Sequence, residues 1–226
     1  MDQKHIVYSD EHWRILCDLR NEAVRLMKPL THVHIECLIY GSLARGDVHK
    51  TSDIDVFIPY LQAVTLIEAA LECEGIQSIS REIVQATPGY AAKGYIYTSN
   101  NCGYSFPLVP LLPSEKEFYG FAGSAKQIDL ESDVRVPGVD KRLMFIQPTY
   151  DGHIEYPIQG LSGEVAKILK VDTKIVRERI RTLERRDKVG RTGVYLKRSL
   201  APSESFSEVL ENLSQNRPGL RKRLRS

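Results

Sequence analysis

The chain has no apolar run near the ~20 residues that a membrane-spanning helix needs, so that class is excluded. Its start, Met-Asp-Gln-Lys-His, lacks the basic-then-apolar plan of a secretory signal. Cysteine is scarce and scattered. Cys17, Cys37, Cys73 and Cys102 form no Cys-x-x-Cys pair, which leaves neither a disulfide framework nor a zinc ribbon to build on. Buried, reduced thiols and a cytoplasmic location are the expectation. The six histidines, His153 among them, fall at no metal-ligand spacing. There is no internal repeat and no low-complexity tract. Net charge is also nearly missing, at +2.

That small net charge hides a division. From Gly160 onward there are 17 Lys and Arg against 8 Asp and Glu, which leaves 14 basic and 21 acidic residues before it. An acidic first part followed by a basic last part predicts two modules, the second facing a polyanion or presenting a solvated basic surface. The 226 residues suffice for one large domain or two small ones, and 42% hydrophobic with 27% charged residues is ordinary for a globular protein.

Periodicity sets out the elements. Ser9-Asp10 caps a helix to about Met27, with Trp13, Leu16, Leu19, Ala23 and Met27 at helical spacing and Pro29 as its stop. Strands follow at 33 to 40 and 53 to 58, then a helix from Gln62 to Cys73. Residues 76 to 112 read as β-rich, with strands at "EIVQAT", "KGYIYTS" and "GYSFPLVPLL". Between 113 and 159 only Leu143 to Ile146 reads clearly as a strand. Glu164 to Leu169 and a helix running from the cap Asp172 to about Arg186 form a pair. A turn at 189 to 193, a short strand Val194-Tyr195-Leu196 and a helix near 205 to 213 follow. The last stretch, "RPGLRKRLRS", is expected to be a mobile basic tip.

The densest chemistry lies in "GSLARGDVHKTSDIDVF", residues 41 to 57. A Gly-Ser turn after a strand presents free backbone N–H groups to a phosphate. Gly41 permits close approach, Ser42 adds a hydroxyl and Arg45 offers a forked donor. Asp53 and Asp55, two apart on the next strand, share a face. Side by side they repel unless a cation lies between them, and hard oxygen ligands suit Mg²⁺ on nucleotide phosphates.

This stretch resembles the signature of the DNA polymerase beta nucleotidyltransferase superfamily, Gly-Ser-x-Ala-Arg-Gly followed by Ser-Asp-x-Asp. The resemblance implies a mixed α/β (α+β) nucleotidyltransferase fold with two Mg²⁺ ions. It assigns metal binding and catalysis to Asp53 and Asp55, and nucleotide contacts to Gly41 and Ser42, with Ser52 bracing the loop. The superfamily's third carboxylate has no counterpart here. On the strand similar to that of tRNA-end-adding relatives, Pro107 occupies the acidic position and Ser105 lies two residues before it. Glu82, Glu115 and Glu117 are the substitutes on offer. A missing base would lower the rate about 10²- to 10⁴-fold.

Residues 163 to 196 resemble a winged helix-turn-helix. Lys174, Arg177, Arg181 and Arg185 (with Lys188) are expected on its exposed side and Arg191 on the wing, to contact nucleic acid. A protein-contact role stays open. Arg135, Lys141 and Arg142 are candidates for the far wall of the nucleotide pocket or plain loop residues. The expected organisation is a nucleotidyltransferase domain at 1–159, a winged helix-turn-helix at 160–200 and a helical, basic tail at 201–226. The expected reaction is Mg²⁺-dependent transfer of a nucleoside monophosphate from a nucleoside triphosphate to an acceptor hydroxyl. Its rivals are a nucleotide-sensing DNA-binding regulator and an antitoxin-like adaptor. Monomer and homodimer are both left open.

Overall fold

The computed structural model describes residues 3–99, 101–190 and 193–224. In chain order the elements are β1 (Lys4–Val7), α1 (Asp10–His32), β2 (Leu38–Tyr40), α2 (Ser42–Arg45), β3 (Ile54–Phe57), α3 (Val64–Cys73), β4 (Ser80–Gln85), β5 (Lys93–Tyr97), β6 (Cys102–Pro107), α4 (Pro113–Ala122), β7 (Ser124–Ala125), α5 (Gln127–Glu131), β8 (Gly138–Val139), β9 (Met144–Thr149), β10 (Gly152–Pro157), α6 (Ser162–Leu169), α7 (Thr173–Val189), β11 (Leu196–Ser199), α8 (Phe206–Asn216) and α9 (Pro218–Leu224). The mixed α/β character expected from the sequence is present. No helix among the described residues is long and apolar enough to cross a membrane.

The chain divides into two compact units. The first comprises residues 1–25, 38–54 and 113–192, the second 26–37, 55–112 and 193–226. The units therefore interleave along the chain and do not follow the expected boundaries at 159/160 and 200/201.

In the first unit a sheet runs in the order β1-β10-β9-β8 with antiparallel pairs. A short antiparallel pairing joins β2 to β7, Ile39 opposite Ala125. The helix pair α6–α7 does not form a core of its own. Val165, Ala166, Ile175, Val176 and Leu183 share one apolar cluster with Phe121 of α4, Val139 of β8 and Phe145 of β9. Each fully buried valine in it contributes roughly 1.5–3 kcal/mol. The turn between the two helices is made by Lys170 at φ 54°, and Asp172 accepts the Lys174 N–H at 2.8 Å as the cap of α7.

In the second unit the strand order is β11-β4-β5-β6-β3. The strand expected as a wing is instead an edge strand, with Leu196 opposite Gln85 and Ser199 opposite Glu82. One face of this sheet is the core. Ile83, Ile96, Tyr104 and Phe106 are each at most 1% exposed, and Phe206 of α8 meets Phe106 edge-on at 5.3 Å. Gly94 is required beneath them, because a Cβ there would lie 2.3 Å from the Phe106 ring.

Several expectations need correction. The first helix continues through Pro29 to His32, since burial of Met27 and Leu30 outweighs the one hydrogen bond that proline cannot donate. The strand before the glycine turn shrinks to Leu38–Tyr40. Residues 218–224 of the basic end are not a loose tip; they form α9, whose Leu220 is fully buried and whose Arg223 donates to the Pro110 carbonyl at 2.8 Å, and the last two residues of the expected tip lie outside the described residues.

Candidate active site

The glycine turn is built from local backbone demands. β2 ends at Tyr40, and Gly41 adopts φ 83°, ψ −142°, a region open in practice only to glycine. Its N–H is engaged by the Gly123 carbonyl at 2.9 Å. The following Ser42, Leu43 and Ala44 start α2, so their N–H groups have no i−4 carbonyl within the helix to donate to. Gly46 closes the turn at φ 105°, its N–H on the Ser42 carbonyl. A Cβ on Gly41 would have no atom within 4 Å, so the cost of Gly41→Ala is conformational and not steric. That substitution should lower stability by about 1–3 kcal/mol in thermal unfolding, and an unchanged midpoint would contradict the strained turn.

Three cationic or ring-bearing side chains hold this turn, and two of them were not foreseen. Arg20 of α1, 4% exposed, donates Nε and Nη2 to the Leu43 carbonyl at 3.1 and 3.0 Å and Nη2 to Ala44 at 3.2 Å. It thereby satisfies carbonyls that a four-residue helix cannot. His12 Nε2–H donates to the Gly46 carbonyl at 2.8 Å, and its ring stacks on Tyr8 at 3.7 Å. Arg45 was expected to reach a phosphate, and the geometry corrects this. Its Nε and Nη2 grip both oxygens of Asp47 at 2.9 and 2.8 Å, and Nη1 donates to the Ala122 carbonyl at 2.7 Å. Its side chain is 5% exposed, so the fork is spent inside the protein, bracing the turn.

The 47–52 connection is held by Ser52, whose Oγ accepts the His49 N–H at 2.9 Å and lies 3.5 Å from Ser42 Oγ. Asp53 follows, exposed, directly before β3. Within β3, Ile54 and Val56 are buried while Asp55 is half-buried, as alternation requires.

Asp55 belongs to the face of the second unit's sheet opposite its core. Lys93 Nζ lies over the Phe57 ring at 5.4 Å, and Phe57 and Asp55 are two apart. Lys93, Tyr95 and Tyr97 alternate along β5 on that same face. Across the strands runs the row Ser199, Glu82, Tyr95, Ser105. The Ile58 N–H meets the Ser105 carbonyl at 2.9 Å, so Ser105 lies beside the exit of β3. Burial first, then the charges of Tyr97, Asp55 and Glu82, push the Tyr95 hydroxyl up to about 12.

No substitute for the third carboxylate emerges. Glu82 is on β4, three strands from β3, or about 14 Å at ordinary strand spacing. A cation with ligand bonds of about 2 Å cannot be shared over that span. Glu82 is instead paired with Lys197 Nζ at 3.0 Å and accepts from Ser199 Oγ at 3.3 Å. Glu115 is buried in the first turn of α4, and Glu117 is half-buried on the same helix. Among the described residues no group of three or more His, Cys, Asp or Glu side chains is placed to hold a metal. Asp53 and Asp55 are hard oxygen donors, the chemical type that a divalent cation such as Mg²⁺ takes.

Arg135 and Arg142 are structural. Arg135 stacks over Trp13 at 4.8 Å and donates to the carbonyls of Gly152 and Thr149. Arg142 bridges Asp140 and Glu155 at 2.6 and 2.7 Å. Lys141 is exposed.

On α7, Lys174, Arg177, Arg181, Arg185 and Lys188 are all exposed, at successive spacings of three and four that align them along one side of the helix. Arg179 lies elsewhere, over the Phe118 ring at 4.9 Å. Arg191 is outside the described residues.

A sequence signal for Arg20 did exist. It falls between Leu16 and Ala23 in the apolar stripe of α1, where a charge implies a buried acceptor. Asp47 had a weaker one, as an acid two residues after Arg45 in a turn.

No curated protein and no solved structure matches the chain. Residues 16–100 match the family model of the nucleotidyltransferase domain, which supports placing the Gly-Ser turn and the aspartate pair in that transferase superfamily.

Proposed function

We propose that this protein transfers a nucleoside monophosphate from a nucleoside triphosphate to an acceptor hydroxyl, releasing pyrophosphate. The observation that carries the reading is the strained Gly41-Ser42 turn, followed at the family's spacing by Asp53 and Asp55 around β3. The N–H groups of Ser42, Leu43 and Ala44, with Ser42 Oγ, are the donors for phosphate oxygens. Arg20, Arg45 and His12 hold that turn so that no reorganisation is needed on binding. Mg²⁺ held by Asp53 and Asp55 would neutralise phosphate charge and polarise the reacting phosphorus. Ser105 cannot accept a proton at neutral pH, so the acceptor hydroxyl loses its proton to solvent or to the substrate itself. Incubation with α-labelled triphosphates and Mg²⁺ should label an RNA, protein or small-molecule acceptor, and chelation should stop it. Absence of labelling on all three acceptor classes, with nucleotide still bound, would select the second reading, a nucleotide sensor. The Ser105 position favours that sensor.

The basic stripe of α7 is the proposed nucleic-acid contact, with α6 and the turn at Lys170 as the supporting half of a winged-helix-like reader. Phosphate contacts dominate such binding, so affinity should fall steeply with salt. Arg177→Ala should weaken duplex binding several-fold and reduce the slope of log K against log salt by about one. A salt-independent mobility shift, or none at low salt, would reassign the stripe to a protein partner. The four cysteines are free thiols, in keeping with the cytoplasmic location proposed, but only Cys37 is buried: Cys17 and Cys73 are exposed and Cys102 half-buried, against the expectation of four buried thiols.

A further inference from the structure

The open face of the second unit's sheet carries a recognition pattern that the reaction itself does not use. Tyr95 and Tyr97 are half-buried on β5, with ring centroids 6.0 Å apart and planes within 12°. Tyr97 covers Gly103 of β6, where a Cβ would come within 3.1 Å of the ring, so the absent side chain makes room for it. Two strand spacings, roughly 10 Å, separate this pair from β3 and Asp55. At its other side, directly opposite Tyr95, is Glu82, ion-paired with Lys197 at 3.0 Å.

Each part has a chemical meaning. Parallel aromatic rings on a sheet face are a surface for stacking flat heterocycles. A carboxylate beside an ammonium presents an acceptor next to a donor. That pair complements the edge of a base with an exocyclic amine adjacent to an unprotonated ring nitrogen, as in adenine and cytosine and not uracil. The charges on this face balance, Asp55 and Glu82 against Lys93 and Lys197. That balance suits a neutral base better than the polyanionic backbone of a strand.

We infer that Tyr95 and Tyr97 stack the base of the nucleoside triphosphate and that Glu82 with Lys197 selects an amino-bearing base. This rests on the proposed triphosphate reading, and within this unit on Asp55. Tyr97 and Glu82 are specificity residues, and neither takes part in bond making.

Equilibrium titration of the full chain with ATP, CTP, UTP and inorganic tripolyphosphate, each with Mg²⁺, tests it. ATP and CTP should bind at least tenfold tighter than UTP. Tyr97→Leu, which keeps an apolar cover on Gly103, should weaken ATP binding about tenfold and leave tripolyphosphate unchanged. Glu82→Gln should level ATP with UTP while keeping both bound. Equal affinity for ATP and UTP in the wild type, or ATP binding unaltered in Tyr97→Leu, overturns the inference. In that event a loss of tripolyphosphate binding in Asp55→Asn would still uphold the phosphate site. If the wild type binds neither ATP nor tripolyphosphate, both readings fall.

Discussion

Asp55→Asn should abolish nucleotidyl transfer, by about 10³-fold or more, while leaving the fold intact. The substitution keeps shape and removes charge. Asp55 is half-buried in β3 between core residues Ile54 and Val56, so Asn fits the same strand position. What disappears is one of the two carboxylates proposed to hold the divalent cation. With no third acid on β6 to compensate, the loss should approach the whole of the metal's contribution. An internal control exists. The charge of Asp55 helps to hold up the Tyr95 hydroxyl, so its titration midpoint should move down from about 12 in the variant. Burial remains the larger cause, and the return to 10 should be partial. Full transfer activity in Asp55→Asn would sink the enzymatic account, and an unmoved Tyr95 titration would sink the placement of Asp55 on that face.

Arg45→Ala is expected to cost about 3–5 kcal/mol of stability. The guanidinium and the Asp47 carboxylate are 5% and 14% exposed, and their two parallel hydrogen bonds are charge-assisted. Removing one partner of a buried pair strands the other charge in a poorly solvated site. It also leaves the Ala122 carbonyl without its donor and opens space next to Gly123, where Arg45 Cγ would lie 2.9 Å from an added Cβ. Urea denaturation should show a lower midpoint with an unchanged slope. Arg45→Met combined with Asp47→Ala should recover part of the loss, because no uncompensated charge remains. A loss below about 1 kcal/mol in the single variant would show that water reaches Asp47 and that the turn holds without its brace.

The sequence made the turn and the aspartate pair readable because their chemistry is local. Gly41, Ser42, Asp53 and Asp55 need only their own backbone conformations and a spacing of two. The residues that hold them were mostly not readable. Arg20, His12 and Asp47 act through carbonyls and a guanidinium brought near by folding, and only Arg20 left a trace, as a charge in an apolar stripe. Long-range pairing was the other blind spot. β1 is four residues with no alternation of its own and exists because it pairs with β10, Lys4 opposite Glu155. Leu196 reads as a strand from its neighbours, yet its partner, Gln85, lies far back in the chain. The basic end reads as loose by composition, while Leu220 anchors it by burial.

The order of the second unit's strands bears on what can be cut from this protein. The stretch with family likeness stops at residue 100, after β5 and before β6. β5 then lacks the neighbour on one side, and β4 lacks β11 on the other. A fragment trimmed to that stretch would present raw hydrogen-bonding borders on β4, β5 and β3 to solvent, ready to recruit further copies into aggregates. The recognisable piece and the foldable piece are thus different lengths of chain, and the residues after 193 serve as a selvedge for the sheet.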